Sequence, residues 1–259
     1  MNAWGRLTLQ SGCARMGQDV ASNIIYYTPF ENDSNREIAF TLNNTGPNCI
    51  YDIFLTPQGQ LTDLIWSPTG LQHPKTKQGG LWYSPEGWLY VGTIRTKTAN
   101  TVYWQPQPSY ASGGTNNELG VFNAYNRLPT IAVCRDSNSI WHNSNPGYSL
   151  ADNSPNFRIN WLDGLGDVAC RGNYTCSVAG DSTNAAALTV GVSLNGSTWN
   201  GLLPQGAMNN NSIGMQISGW NMTHGSVGAH YWQAMEQSTP VPVTVFGNNF
   251  AALTAELCI

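Results

Sequence analysis

The sequence predicts an all-β protein, an antiparallel β-sandwich of jelly-roll-like type, organised as two β domains. Three observations predict it. Turn residues recur at short intervals between segments rich in Val, Ile, Tyr, Trp, Phe and Thr. Pro and Gly fall where neighbouring apolar segments would have to turn back on each other. No window of about a dozen residues carries a period of about 3.6 with an N-cap and without a Gly or Pro interruption, so only short helices are expected.

Taken in order, Asn23–Phe30 (NIIYYTPF) is a strand stopped by Pro29, and Arg36 to Leu42 is its partner across the polar run Glu31 to Asn35. From Ile50 to Trp66, IYDIFLT and LTDLIW are two alternating segments, with Pro57 and Gly59 in the turn between them. The same grammar returns in LWYSPEGWLYVGTIR, where Pro85 and Gly87 separate two aromatic strands. Without a bulge, Trp88 and Tyr90 share one face of the second. Later candidates are Thr130 to Cys134, His230 to Glu236, Val241 to Phe246, and Ala251 to Cys258, where Leu253, Ala255 and Leu257 alternate with Thr254 and Glu256.

Gln105 to Asn117 is rich in Pro, Gly and Ser, and a second polar stretch runs from Asn143 to Pro155. The border is placed near Leu128, giving an N-terminal β-rich domain over 1–128 and a C-terminal β-sandwich over 129–259.

Composition limits the function. Charged residues are 10% of the 259, against roughly a quarter in an ordinary globular domain, while aromatics reach 11% with 10 Trp and 11 Tyr. So aromatic a chain folds, since it can bury enough apolar surface to offset backbone ordering. So few ionic side chains leave much of its surface to be covered by neighbours, which predicts a homo-oligomer, a trimer being favoured. The alternative on composition is an extracellular protein whose surface is neutral Asn, Ser and Thr. A net charge of -4 with only 11 Lys and Arg excludes a nucleic-acid partner. MNAWGRLTLQ lacks the apolar stretch of about 7 to 15 residues of a signal peptide, so no general export is expected. No run approaches the roughly 18 apolar residues of a membrane span, so no membrane insertion is expected. The Asn-x-Ser/Thr triplets at Asn32, Asn173, Asn195 and Asn221 are those chance supplies in so Asn-rich a chain.

Six cysteines, Cys13, Cys49, Cys134, Cys170, Cys176 and Cys258, are too sparse for a disulfide framework. All six are disulfide candidates in an oxidising setting. Cys170 and Cys176 are the local pair, because Gly172 and Asn173 between them permit a tight turn. Cys258, next to the C-terminus, is placed to cross-link subunits. His73, His142, His224 and His230 show no metal-ligand spacing with each other or with cysteine, and neither metal nor cofactor is implied.

Acidic pairs offer one route to chemistry. Asp163 with Asp167 (DGLGD), or Glu118 with Asp136, could serve glycoside hydrolysis, but any 15 acidic residues supply such pairs. Asp163 and Asp167 could ligate Ca²⁺, yet the closing Glu of an EF-hand is missing, and loop capping is the simpler role. Gly-x-Ser-x-Gly is absent, so no nucleophilic centre is indicated. Among aromatics, Trp82, Tyr83, Trp88 and Tyr90 cluster on one hairpin and suit packing. Trp141, His142 and Tyr148 lie in a polar stretch and are the surface-contact candidates for a glycan.

Several ordered blocks carry a resemblance. Gly5–Gly12 (GRLTLQSG), Ile25–Phe30 (IYYTPF), Tyr51–Phe54 (YDIF), Tyr90–Thr96 (YVGTIRT) and Val121–Arg127 (VFNAYNR) resemble a family of bacteriophage tail and fibre-associated virion proteins. Gly228–Glu236 (GAHYWQAME), Thr244–Gly247 (TVFG) and Leu253 to Leu257 are similar to that family's usual ending. The resemblance implies a viral structural protein of the tail, fibre or collar, assembled in the host cytoplasm into the virion. Its partners would be copies of itself, other virion proteins and, for host attachment, a host surface glycan. It implies no catalytic residue, so the chain is expected not to be an enzyme. The alternative is a glycan-binding or glycan-cleaving module, which needs a carboxylate pair among aromatics in one cleft.

Overall fold

The computed structural model describes residues 15–19, 24–28, 38–41, 46–56, 61–65, 72–98, 101–125, 127–180, 186–196, 205–208, 215–239 and 241–259. Strands β1 (Arg15–Asp19), β2 (Ile24–Thr28) and β3 (Ile38–Thr41) form a small antiparallel sheet in that order. There follow β4 (Ile50–Leu55), β5 (Leu61–Ile65), β6 (Thr76–Gln78), β7 (Leu81–Tyr83), β8 (Leu89–Thr98) and β9 (Thr101–Val102). Then come β10 (Trp104–Gln105), β11 (Asn117–Leu119), β12 (Val121–Asn123), β13 (Pro129–Arg135), β14 (Ile140–Asn143) and β15 (Ser149–Leu150). The last are β16 (Arg158–Asp163), β17 (Cys170–Gly180), β18 (Ala186–Leu194), β19 (Gln205–Met208), β20 (Met215–Thr223), β21 (Gly228–Ser238) and β22 (Val243–Cys258). Among the described residues the one helical element is a 3-10 turn, Ala151–Asn153. The protein is an all-β, sandwich-like fold, as the alternation and turn spacing predict.

Both predicted hairpins form. β4 and β5 pair antiparallel from Tyr51 opposite Ile65 to Leu55 opposite Leu61. β7 meets β8 at Tyr83 opposite Leu89. These strands lie in a sheet of order β5-β4-β8-β7-β6, to which β9 and β12 add by pairing with β8. Trp88 and Tyr90 turn to the same core, as period two requires. Beyond Tyr90 the no-bulge assumption fails: the β4–β8 register shifts between Ile53 and Phe54. The extra residue brings Tyr90 and Thr93 to one side, where their hydroxyls are hydrogen-bonded, while Val91 and Ile94 face a second, smaller core. The segments containing Pro29, Glu31 to Asn35, Pro57, Gly59 and Cys13 lie outside the described residues.

Two larger sheets make the sandwich. One runs β10-β11-β16-β21-β18-β19, with β15 also on β21; the other runs β13-β22-β17-β20, with β14 also on β22. Strict alternation in β17 explains why it seats here: Cys170, Gly172, Tyr174, Cys176 and Val178 are buried, and the residues between them are not. Trp232 of β21, fully buried, lies against Gly172, where an added Cβ would come within 2.8 Å of the indole. Gly at 172 therefore sets the spacing of the two sheets there. Burying a large apolar side chain of this kind contributes about 1.5–3 kcal/mol.

Two sequence expectations are corrected by this topology. Cys170 and Cys176 flank no turn, because β17 is one continuous strand; six steps of about 3.3 Å hold them roughly 20 Å apart, beyond any disulfide. Val241 to Phe246 and Ala251 to Cys258 are a single strand, β22, which pairs β14 with its first part and β13 with its last. Its register against β17 jumps from Ala251 to Phe246 between Cys176 and Ser177, so the residues between bulge out and Phe250 stands exposed.

Residues on the two sides of Leu128 are joined. β11 pairs parallel with β16, Leu128 exchanges backbone hydrogen bonds with Ile259, and the larger buried cluster contains Phe54, Tyr90 and Phe122 together with Trp161, Tyr174 and Leu253. Gly164 fits beneath Tyr90, Thr93 and Phe122, so the loop after β16 leans directly on the β4–β8 sheet.

Candidate functional site

The outer face of the β13-β22-β17-β20 sheet is built from the residues that alternate with its core. Across it run three rows. The first is Ile131, Glu256, Arg171 and Met222; the second Val133, Thr254, Asn173 and Trp220; the third Arg135, Ala252, Thr175 and Ser218. Ile140 and Phe246 extend it through β14. Ile131 is 57% exposed, Ile140 49%, Trp220 41%, Met222 53% and Phe250 60%. Its ionic groups, among the described residues of these rows, are Arg135, Arg171 and Glu256, and the Arg171 guanidinium lies 5.3 Å from the Trp220 ring centre. Large apolar side chains thus stand exposed across a sheet face that carries few ionic groups.

The expected surface-contact residues separate. Trp141 is buried, not exposed: it sits in β14 with its side chain between the sheets, and its indole N–H reaches both Glu236 carboxylate oxygens at 3.2 and 3.1 Å. Strand alternation is the cause, since Trp141 and Asn143 point inward while Ile140 and His142 point out. His142 lies exposed beside Thr244, and Tyr148 is exposed in the following loop, so no three-residue aromatic platform forms.

Glu236 is a functional-looking group the sequence reading missed. It is fully enclosed on β21 and accepts from Tyr174 Oη at 2.7 Å, Asn143 Nδ2 at 3.0 Å and the Trp141 indole. Burial pushes its carboxyl above the ordinary carboxylate range, and those donors pull it back. The signal was present: His230, Trp232, Ala234 and Glu236 are spaced by two, so an inward strand face places an acid in the core.

Asp52 is a second buried acid, lying between Tyr51 and Ile53 in an otherwise apolar strand. It meets Lys75 Nζ at 2.7 Å and Thr93 Oγ1 at 2.7 Å, and accepts the His73 backbone N–H at 3.3 Å. The Lys75 ammonium also lies over the Tyr90 ring, 4.5 Å from its centre. Burial lowers the Lys75 pKa, opposed by Asp52.

The proposed acid pairs are not joined as catalytic dyads. Asp163 caps its own loop, accepting from the backbone of Leu165, Gly166 and Val168, the capping role the sequence suggested, while Asp167 pairs with Arg127 at 2.8 Å. Glu118 is mostly buried, its carboxyl raised by burial against the pull of Arg95 and Arg158. Asp136 holds the backbone of Gly113 and Asn138. No group of three or more His, Cys, Asp or Glu that could hold a metal converges among the described residues. A depression of about 410 Å³ lies between Arg127, Asp167, Glu256, Leu257 and Cys258. Cys49, Cys134, Cys170, Cys176 and Cys258 are all free thiols, and of these Cys258 is exposed.

No protein-family model matches the chain, and no curated protein matches it. Among solved structures it is similar to one titled "Structure of infectious bursal disease virus Gx strain", at 9% identity over 95% of this chain and 72% of that chain, with a TM-score of 0.25. A superposition that slight carries no argument about fold or function.

Proposed function

We propose that this chain is a structural protein of a virion, a tail, fibre or collar component of a bacteriophage, that assembles with copies of itself around a threefold axis. The observation that carries the reading is the outer face of the β13-β22-β17-β20 sheet, where Ile131, Ile140, Trp220, Met222 and Phe250 stand exposed around few ionic groups. In water such a face is costly at roughly 25 cal/mol per Å² of apolar surface, and a second copy covers it. The low charge of the whole chain and the ordered sequence blocks that resemble tail and fibre proteins support the same reading. Host attachment through exposed loops is a further role on this reading, and no turnover is required.

Light-scattering mass of the purified protein tests it. A multiple of 28.1 kDa that resists dilution is expected. Trp220→Lys with Met222→Lys should lower that mass while leaving the melting temperature of the folded chain nearly unchanged, since both side chains face outward. A dilution-stable monomer, or release of reducing sugar from host polysaccharide by the purified protein, would overturn the reading.

A further inference from the structure

Asp136 follows β13 directly and is completely buried. Its Oδ1 accepts from Gly113 N at 3.0 Å and Asn138 N at 2.8 Å, while Oδ2, equally buried, meets no donor. Within hydrogen-bonding reach stands a second carboxyl, Asp152 of the 3-10 turn, partly open to solvent. Asn138 Nδ2 contacts Asp152 Oδ2 at 2.5 Å, and Asn138 Oδ1 accepts from Ser112 Oγ at 2.9 Å.

We propose that Asp136 and Asp152 bind a hard divalent cation of the Ca²⁺ class, tying the end of β13 to the turn at Ala151–Asn153. Two carboxylates in contact need a positive charge between them, and only a proton or a cation fits. The buried Asp136 Oδ2 has no hydrogen-bond donor, and Asn138 ties the two acids together, its backbone N–H on Asp136 Oδ1 and its amide on Asp152 Oδ2. Oxygen-only donors select a hard ion. Asn138 can join them: turning its amide presents Oδ1 to the ion, and the Ser112 hydroxyl then accepts from Nδ2 instead of donating. Half-exposure of Asp152 leaves room for the waters that complete such a shell.

The test is calorimetric titration of CaCl₂ into the chelator-treated full chain at pH 7.5, with thermal melts in parallel. One site per chain is expected, with a dissociation constant on the order of 10⁻⁴–10⁻³ M, as for extracellular Ca²⁺ modules. Ca²⁺ should raise the melting temperature. Asp152→Asn should weaken binding at least about tenfold and abolish the thermal shift; Asn suits position 152, whose φ is 49°. Asp136→Asn should do the same if it folds, and Asp152→Asn alone decides if it does not. Absence of both heat and thermal shift in the parent protein would overturn the proposal, as would undiminished binding by Asp152→Asn. A parent protein indifferent to Ca²⁺ but stabilised at pH 7.5 by Asp152→Asn would show a shared proton instead, and would equally overturn it.

Discussion

The hydroxyl of Tyr174 donates to Glu236 Oε1 at 2.7 Å across the interior of the sandwich. Tyr174 stands on β17 of one sheet and Glu236 on β21 of the other, so this hydrogen bond is a tie between layers. With Asn143 and Trp141 on the same carboxyl, every donor is supplied by the sheet that β21 faces. Such a clasp fixes how the sheets sit on each other, because a slip of one strand step would leave a buried acid without donors.

Removing one donor tests the clasp. Tyr174→Phe should lower unfolding free energy by about 1–3 kcal/mol, since the carboxyl stays buried with one partner fewer. Glu236 adds a pH signature. Its folded pKa is raised, so the folded chain holds that proton more tightly than the unfolded chain, whose carboxyl titrates near about 4.3. The stability it contributes is complete below that value and is lost as pH rises through the folded value. Glu236→Gln should flatten this part of the slope in denaturant unfolding followed from pH 4 to 8, at roughly unit steps. A slope unchanged by the substitution would contradict the assignment.

How much of this was legible beforehand depended on whether a neighbour in sequence or a neighbour in space decided the outcome. The β4–β5 and β7–β8 hairpins were legible because Pro and Gly mark the reversal and the flanking alternation is local. Cys170 and Cys176 misled, because Gly172 permits a turn but here makes room for Trp232, a contact from another sheet. Trp141 misled in the same way: polar neighbours suggested a loop, whereas pairing with β22 made a strand and sent the indole inward. Glu236 and Asp52 could have been flagged as acids at inward strand positions, but the donors to Glu236 lie 62 to 95 residues away in the chain and the partners of Asp52 lie 21 to 41 residues away. Nothing local specifies those partners. Asp136 and Asp152 are brought together through Asn138, which bonds to both, and the spacing of the acids does not express it.

Thiol chemistry follows from burial. Cys258 is exposed, Cys49 is partly so, and Cys134, Cys170 and Cys176 are buried. Burial pushes the Cys170 thiol up to about 12, in spite of the Trp232 indole N–H that points at its sulfur, and raises Cys134 and Cys176 as well. The reactive thiolate is therefore scarce at all three. Timed alkylation of the native chain, mapped by peptide mass spectrometry, should label Cys258 first and Cys49 next, and should reach Cys134, Cys170 and Cys176 only on unfolding. A peptide joining Cys170 to Cys176 by a disulfide would contradict the continuous strand between them.

Asp52 and Lys75 form the most enclosed ion pair described, with side chains 0% and 2% exposed. Removing one charge strands the other. Lys75→Met keeps the stem volume but leaves the Asp52 carboxylate with only the Thr93 hydroxyl and the His73 N–H, which should cost about 3–5 kcal/mol. Adding Asp52→Asn neutralises that stranded charge, and its amide oxygen still accepts from Thr93, so the double variant should be more stable than Lys75→Met alone. The desolvation of the two ions is what the double variant no longer has to meet, which is why the two changes should not add. Equilibrium denaturation of the parent, both single variants and the double variant closes the cycle. Simple additivity would show that the two side chains do not depend on each other, and would leave the hydrogen bond to Gln72 Oε1 and the contact with the Tyr90 ring among the holds on the Lys75 ammonium.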